Sequence, residues 1–138
     1  MAADAAAIKA LREAAEAAGM KVRLVAPKVG GARLSDGSLQ AADGQLAGTP
    51  SVLFDAVALV LSEEGGKKLE SEAAAIDFVR DAFGHLKTIA HDDGAAGLLR
   101  VAGIQPDAGV LAASAAKELV AAAGTRHWDR EAAVRTLA

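Results

Sequence analysis

The residues best suited to chemistry stand together in the run His91-Asp92-Asp93-Gly94, which sets an imidazole beside two carboxylates. Such a run can be read as a metal site, or as a His/Asp pair that awaits a serine. Adjacent residues in a turn point in different directions, however, and no second histidine follows at the spacing of a known metal site. We interpret the run as a solvated turn, with a functional site as the alternative, and predict no catalytic residue and no metal ligand.

A second candidate is the run Ser62-Glu63-Glu64-Gly65-Gly66, which follows the carboxyl end of an apolar strand. Open α/β sheets bind ligands at such strand ends, and the two glycine amides can approach an anion. The run lacks the spacing of a dinucleotide or nucleotide loop, and its two carboxylates repel phosphate. We therefore predict a plain strand-to-helix loop and no cofactor-binding residue. We interpret Gly30-Gly31 in the same way, as a turn.

Three further side chains have open interpretations. His85 and His127 are predicted to be ordinary surface or boundary residues. Trp128 is the single tryptophan, and it either anchors the last helix to the core or belongs to an interface with a partner domain.

Composition excludes several classes of function. Among 138 residues there is no cysteine, so disulfides, thiolate metal sites, iron–sulfur clusters and a cysteine nucleophile are all excluded. Fifteen basic and eighteen acidic residues give a net charge of -3 with no run of five like charges, so we expect no nucleic-acid partner. Charged residues are mixed into the N-terminal alanines, which is typical of neither a signal peptide nor a membrane span. We expect a soluble, cytoplasmic protein that does not bind membranes.

The spacing of apolar residues, together with capping and turn residues, predicts the helices and strands that position these side chains. A helix with Asp4 as N-cap runs to Ala18 and stops at Gly19, and a strand over Lys21 to Ala26 follows it. The remaining predicted elements are a short segment Ser38 to Ala42 between the turn pairs Asp36-Gly37 and Asp43-Gly44, a strand Ala56 to Leu61, a helix with the stripe Leu69, Ala73, Ile76, Val79 and Phe83, a strand Thr88 to Ala90, a helix Gly94 to Ala102, a strand within Asp107 to Leu111, and helices Ala115 to Ala123 and Arg130 to Leu137.

The strand Ala56 to Leu61 decides the fold class. It has no alternation of apolar and polar residues, which predicts that both of its faces are covered. Because strands alternate with helices along the chain, we predict an α/β protein with a doubly wound parallel sheet, in a single domain over residues 1–138. The region around Ser38 is an antiparallel hairpin excursion.

Several blocks of sequence, in order, carry a family resemblance. SDGSLQAADGQLAGTPSVLFDAVALVL, then FVRDAFGHLKTIA, and before them AAAIKALREAAEAAGMKVRLVAPK, resemble the C-terminal domain of large-subunit haem catalases. That domain is flavodoxin-like and similar to class I glutamine amidotransferase-like proteins, and the likeness covers nearly the whole chain. Relatives begin with a central strand that this sequence lacks. The resemblance therefore implies a gap in the sheet, with the edge of Ala56 to Leu61 open to pairing.

The resemblance also bears on chemistry. In catalytically active members of the wider superfamily, a reactive cysteine follows the strand that matches Lys87 to Ala90, where this chain has His91 to Gly94. The superfamily's nucleophilic chemistry is therefore not expected here. Large-subunit catalases bind haem iron through tyrosine, and this chain has no tyrosine, so the haem belongs to another part of the parent.

The function implied by the resemblance is that of a non-catalytic accessory domain of a haem catalase, a parent enzyme that dismutes hydrogen peroxide. Its partner would be the haem domain of the parent chain, and its role would be to support stability and homo-oligomer assembly, with a chaperone-like role possible. Two alternatives remain: a stand-alone hydrolase or glyoxalase with a replaced nucleophile, testable at Asp93, and small-molecule binding at the strand ends.

Overall fold

Strands and helices alternate along the chain, as the sequence predicts. The computed structural model describes residues 3–27 and 30–131. The helices are α1 (Ala5–Ala17), α2 (Glu63–Leu69), α3 (Ala73–Gly84), α4 (Ala96–Val101) and α5 (Ala116–Ala122). The strands are β1 (Val25–Ala26), β2 (Ala32–Arg33), β3 (Leu39–Gln40), β4 (Gly44–Gln45), β5 (Ala56–Leu59), β6 (Thr88–His91) and β7 (Val110–Ala112).

The central feature is a three-stranded parallel sheet. Strand β6 lies in the middle, with β5 and β7 paired to it in parallel on either side. Strands β1 and β4 form a separate parallel pair, and β2 and β3 form an antiparallel hairpin. The predicted α/β architecture, with a parallel sheet and a hairpin excursion, is confirmed.

Helices cover both faces of β6. Ile89 belongs to the main apolar core, which also contains residues of α2, α3 and α4. On the other face, the Thr88 hydroxyl donates to the carbonyl of Ala122 at the end of α5, and α1 packs on α5 in turn. Successive residues of a strand point to opposite faces, so β6 is buried on both.

The prediction that both faces of the strand Ala56 to Leu61 are covered is wrong, because one face of β5 is partly exposed. Val57 and Leu59 are buried in the main core, but Ala58 is exposed and Ala56 only half-buried. The reason is positional: β5 pairs with β6 alone and forms the edge of the three-stranded sheet. The apolar run therefore ends on an edge, and that edge is open in the part of the chain that the structure describes.

The long helix predicted to carry the stripe from Leu69 to Phe83 is two helices. Helix α2 ends at Leu69, and α3 begins at Ala73 after a short turn. Val79 and Phe83 are buried as predicted, whereas Ala73 is exposed because it lies at the start of α3.

The predicted loop Ser62 to Gly66 is wrong, because helix α2 begins inside it. The Ser62 hydroxyl accepts a hydrogen bond from the Gly65 amide at 3.0 Å, which makes Ser62 the N-cap. Glu63 and Glu64 then occupy the first turn, where negative charge is favourable.

Two predictions near β1 also need correction. The strand predicted over Lys21 to Ala26 is paired only at Val25–Ala26. The Asp43 carboxylate accepts a hydrogen bond from the Leu24 amide at 2.7 Å, so a side chain replaces a strand partner there. The pair Asp43-Gly44 is accordingly not a free turn, because Gly44 begins β4.

The turns at Asp36-Gly37 and Gly30-Gly31 form as predicted. Asp36 accepts hydrogen bonds from the amide and hydroxyl of Ser38, and Gly37 has φ 86°. At Gly31, with φ 96°, a Cβ atom would lie 2.1 Å from the Gln40 carbonyl oxygen, so only glycine fits.

The remaining helices are shorter than predicted by a residue or two at their ends, and α1 has Asp4 as its N-cap as expected. The helix predicted from Arg130 to Leu137 extends mostly beyond the described residues, which show a 3-10 turn over Trp128–Arg130. In the described ranges, no helix combines the length and apolar character needed to cross a bilayer.

Candidate functional site

The turn after β6 is held by the side chain of Asp92. Its Oδ1 and Oδ2 accept hydrogen bonds from the Leu61 amide at 3.2 and 3.0 Å, and Oδ1 also accepts from the Ala95 amide at 3.2 Å. Asp92 thus joins the carboxyl end of β5 to the turn that begins α4. The carboxylate satisfies two backbone amides that would otherwise lack a partner.

Burial sets the protonation of this group. Desolvation raises the pKa of Asp92, while hydrogen bonds from the Leu61 and Ala95 amides work in the opposite direction. The prediction of a solvated turn therefore needs correction. Asp92 and His91 are half-buried, and of these three residues only Asp93 is exposed. The His91 Nδ1 lies 3.1 Å from the Asp92 carbonyl oxygen, and Asp93 faces solvent, so the three side chains do not converge.

The glycine amides that could bind an anion already have partners, because the Gly65 amide donates to the Ser62 hydroxyl and the Gly66 amide donates to the Ser62 carbonyl. A Cβ atom on Gly66 would lie 1.8 Å from the carbonyl oxygen of Gly94, and one on Gly94 would lie 1.9 Å from the carbonyl oxygen of Leu61. The glycines of the sequence run thus allow α2 to pack directly on the turn after β6. Their role is close packing, and the phosphate-binding alternative gains no support.

A second cluster lies at the opposite end of the sheet, where β6 and β7 begin, and sequence reasoning missed its central residue. Arg130 is 4% exposed, binds the carboxylate of Asp107, donates to the carbonyls of Phe83 and Lys87, and lies over the Phe83 ring. Arg130 and Asp107 are 23 residues apart. No local pattern links them, so the sequence holds no signal for this pair.

His127 is half-buried, within the prediction of a surface or boundary residue, but its ring has a specific partner that the sequence does not indicate. Its Nε2 lies 2.7 Å from the Thr88 hydroxyl, which itself donates to the Ala122 carbonyl. Which of the two groups donates across this contact depends on the tautomer of the imidazole. Burial lowers the pKa of His127, and Arg130 lowers it further, against an opposing effect of Asp107. His85 is exposed, as predicted.

Lys87 is a second buried cation that the sequence does not reveal. Its Nζ donates to the Phe54 carbonyl oxygen. Burial lowers the pKa of Lys87, the positive charge of Arg126 lowers it further, and Asp55 raises it. Lys87 thus interacts electrostatically with one cation, Arg126, and one anion, Asp55.

Trp128 does not anchor the core. Its side chain is 68% exposed, and it lines a groove of about 480 Å³ with Phe83, Pro106 and Arg130. The anchoring role belongs instead to Arg130. Of the two interpretations of Trp128, exposure favours the interface.

The described residues at the two ends of the sheet do not form a metal-binding cluster. Over residues 3–27 and 30–131, no three His, Asp or Glu side chains gather in an arrangement suited to a metal ion.

Comparison with known proteins identifies the family. The family of C-terminal domains found in long catalases matches residues 1–132. The chain is 45% identical over 139 residues to "Catalase C" of Rhizobium meliloti (strain 1021), a match that covers 96% of this chain and 20% of that protein. It is 30% identical over 125 residues to "Catalase-B" of Dictyostelium discoideum, covering 86% of this chain and 18% of that one. The chain thus spans about a fifth of the length of these relatives.

Solved structures show the same fold at low identity. Drosophila melanogaster DJ-1beta superimposes with a TM-score of 0.72 at 17% identity, covering 97% of this chain and 90% of that one. A mutant of a DJ-1 superfamily protein from Salmonella typhimurium gives a TM-score of 0.72 at 17% identity and covers 98% of this chain and 90% of that one. The fold is that of the DJ-1/ThiJ/PfpI proteins, which are glutamine amidotransferase-like. The chain belongs to the family of C-terminal domains of long catalases.

Proposed function

We propose that this chain is a non-catalytic accessory domain of a haem catalase and that it supports the stability and oligomer assembly of the parent enzyme. The observation that carries the non-catalytic part is the geometry of Asp92. At the turn where the resemblance places a reactive cysteine in active superfamily members, this chain has a carboxylate bound by the amides of Leu61 and Ala95. We interpret this carboxylate as a structural acceptor that fixes the turn and does not replace the thiolate of the active members.

The donor set of the chain does not fit the tyrosine-ligated haem of a catalase. The sequence has neither tyrosine nor cysteine. His127 is bonded to Thr88, and the His91 ring contacts its own turn. We therefore assign the haem of the proposed assembly, and its peroxide chemistry, to the rest of the parent chain. The cytoplasmic location stays a prediction.

Replacement of a matched segment tests the accessory role. Three proteins are compared: Catalase C of Rhizobium meliloti, the same enzyme without the segment that matches this chain, and the same enzyme with this chain in that segment's place. Without the segment, we expect the oligomer to dissociate at a lower temperature, and we expect this chain to restore much of the loss. Peroxide turnover per haem at ambient temperature should change little among proteins that remain assembled. A hybrid that dissociates as readily as the shortened enzyme contradicts the proposal.

The isolated chain provides the second half of the test. We expect it to release no oxygen from peroxide and to hydrolyse no ester or amide. Turnover that disappears in an Asp93→Ala variant would instead support the stand-alone hydrolase. The described contacts give that alternative no support, because Asp93 is exposed. A chaperone-like activity stays a separate prediction, testable by suppression of aggregation of an unrelated unfolded protein.

A further inference from the structure

The thioether of Met20 lies at the surface of the domain, where small oxidants have access to it. Met20 is the one methionine among the described residues, and it is half-buried. It lines a surface groove of about 380 Å³ together with Arg12, Glu16, Val22 and Arg23. The sequence has no cysteine, so this sulfur is the prime target for a peroxide in the described part of the chain. Hydrogen peroxide is scarcely larger than water and can enter such a groove.

The backbone of Met20 closes the C-terminal end of α1. The Met20 amide donates to the Ala15 carbonyl at 2.9 Å, and the Gly19 amide donates to the Glu16 carbonyl at 3.0 Å. Gly19 has φ 77°, and these three features together form a Schellman motif. In this motif the residue after the left-handed glycine commonly packs an apolar side chain against the last turns of the helix. Met20 is that residue, and it shares its groove with Arg12 and Glu16 of α1.

Helix α1 is held on the domain by partial burial only. It spans 13 residues, a length at which an isolated helix is marginal in water. None of its residues is fully buried, and it packs on α5 through side chains that are at most half-buried. Because tertiary packing contributes most of the stability of such a helix, loss of an apolar contact at its C-terminal end favours fraying. Fraying of α1 in turn loosens its contact with α5.

We propose that Met20 is a reversible peroxide-oxidation site and that its oxidation loosens the C-terminal end of α1. The thioether sulfur attacks one oxygen of hydrogen peroxide, an S–O bond forms as the O–O bond breaks, and the other oxygen leaves as water after proton transfer. Sulfur loses two electrons and the peroxide gains them. The product, methionine sulfoxide, is polar and is therefore a poor apolar contact for the Schellman motif. The inference goes beyond the accessory function and does not rest on it.

Peptide mapping by mass spectrometry tests the access of peroxide to the sulfur. The chain is treated with hydrogen peroxide and cleaved with trypsin, which separates Met20, in peptide 13–21, from Met1, in peptide 1–9. We expect peptide 13–21 to gain one oxygen atom at a rate within about fivefold of its rate in the chain unfolded by urea, because exposure governs the oxidation of methionine. A greater slowing in the folded chain means that the sulfur is shielded, and overturns the proposal.

Hydrogen exchange tests the effect of oxidation on α1. In the chain oxidised at Met20, we expect the Gly19 and Met20 amides to exchange about tenfold faster than in the untreated chain, because both close the Schellman motif. The amides of α3 are the internal control and should exchange as before. Methionine sulfoxide reductases that act on the two sulfoxide epimers should restore slow exchange. Equal exchange at Gly19 before and after oxidation overturns the proposal.

Two variants separate Met20 from any other oxidised group. Met20→Leu keeps an apolar side chain of similar volume, so peroxide should leave exchange at the Gly19 amide unchanged in this variant. Met20→Gln introduces a polar side chain without peroxide, and its Gly19 amide should exchange about as fast as that of the oxidised chain. Faster exchange in peroxide-treated Met20→Leu would place the effect at another residue. Slow exchange in Met20→Gln would show that the apolar contact does not hold the end of α1, and either result overturns the proposal.

Discussion

The Arg130 guanidinium and the Asp107 carboxylate meet through two hydrogen bonds, 2.7 Å from Nε to Oδ2 and 2.9 Å from Nη2 to Oδ1. The third nitrogen, Nη1, donates to the Lys87 carbonyl at 2.8 Å and to the Phe83 carbonyl at 3.3 Å. The Arg130 side chain is 1% exposed, and its guanidinium carbon lies 4.1 Å from the centre of the Phe83 ring. One side chain thus connects α3, the start of β6 and the loop before β7.

Removal of this connection should destabilise the domain strongly. Arg130→Met keeps much of the side-chain volume but removes both guanidinium hydrogen bonds to Asp107, which then retains only the Gly109 amide as a donor, and the bonds to the Lys87 and Phe83 carbonyls. We expect a loss of about 3 kcal/mol in the free energy of unfolding, measured by urea denaturation. Arg100→Met, at an exposed position, should change the same quantity by less than about 0.5 kcal/mol. A loss in Arg130→Met no greater than in this control contradicts the structural role of the pair.

The free energy of unfolding should decrease as the pH is lowered through the titration of His127. Burial and Arg130 lower its pKa, so the folded state prefers the neutral imidazole that bonds Thr88. A lowered folded pKa gives stability that is present above the unfolded value of about 6.5 and is lost as pH falls through the folded value. We expect the free energy of unfolding to decrease from about pH 7.5 to about pH 5, and His127→Gln to flatten this dependence. Equal slopes in the two proteins contradict the assignment.

The sequence predicts the order of most elements because local signals determine them. Asp4 caps α1, Asp36-Gly37 turns the hairpin, and the apolar residues of β6 are buried as expected. Arg130 and Lys87 could not be predicted, because their burial depends on partners far along the chain. Local pattern also cannot report which strand is an edge.

Strand β5 illustrates that last limit. Its residues Ala56 to Leu61 are apolar throughout, as in a strand with two neighbours, yet β6 is its one partner among the described strands. The Leu59 carbonyl accepts from the Asp92 amide on the β6 side. Alternation then directs the amides of Ala58 and Val60 away from β6. An apolar sequence predicts that a strand is buried in a complete sheet. It does not predict how many neighbouring strands pair with it.

The open edge of β5 should be visible in hydrogen exchange. We expect the Ala58 amide to exchange much faster than the Ile89 amide, which donates to the Gly109 carbonyl at 2.8 Å in the centre of the sheet. An unpaired edge also favours association between chains. Ala58→Lys should therefore reduce concentration-dependent association in sedimentation experiments, while Ala121→Lys, at an exposed position of helix α5 away from any strand, should have a smaller effect. Slow exchange at Ala58 in dilute monomer contradicts an open edge.

Asp92 should act as a backbone acceptor and not as a required charge. Burial raises its pKa, so its contribution to stability is present below the unfolded value of about 3.9 and is lost as pH rises through the folded value. Asp92→Asn keeps Oδ1 as an acceptor for both the Leu61 and Ala95 amides, but puts an amide group in place of Oδ2 beside the Leu61 amide. We expect this variant to lose no more than about 1 kcal/mol in the free energy of unfolding at neutral pH, because one acceptor remains for each backbone amide.

Asp92→Ala is the discriminating partner of that variant. It leaves the amides of Leu61 and Ala95 without an acceptor, and we expect a loss of about 1–3 kcal/mol in the free energy of unfolding. Denaturation of both variants at neutral pH measures the difference. A loss in Asp92→Asn as large as in Asp92→Ala would show that the negative charge itself matters, and would reopen a chemical role for this turn.

Close packing of α2 on the same turn gives the sharpest test of how the turn is built. In Gly66→Ala, the added methyl group would lie 1.8 Å from the Gly94 carbonyl oxygen, a backbone atom that cannot rotate away. We expect a loss of about 1–3 kcal/mol as α2 is displaced. Gly84→Ala is the matched control, since its added methyl meets nothing within 4 Å. It should gain about 0.5–1 kcal/mol from helix propensity. Opposite signs in urea denaturation identify contact with the turn as the reason for glycine at position 66, whereas equal shifts would mean that α2 lies farther from the turn.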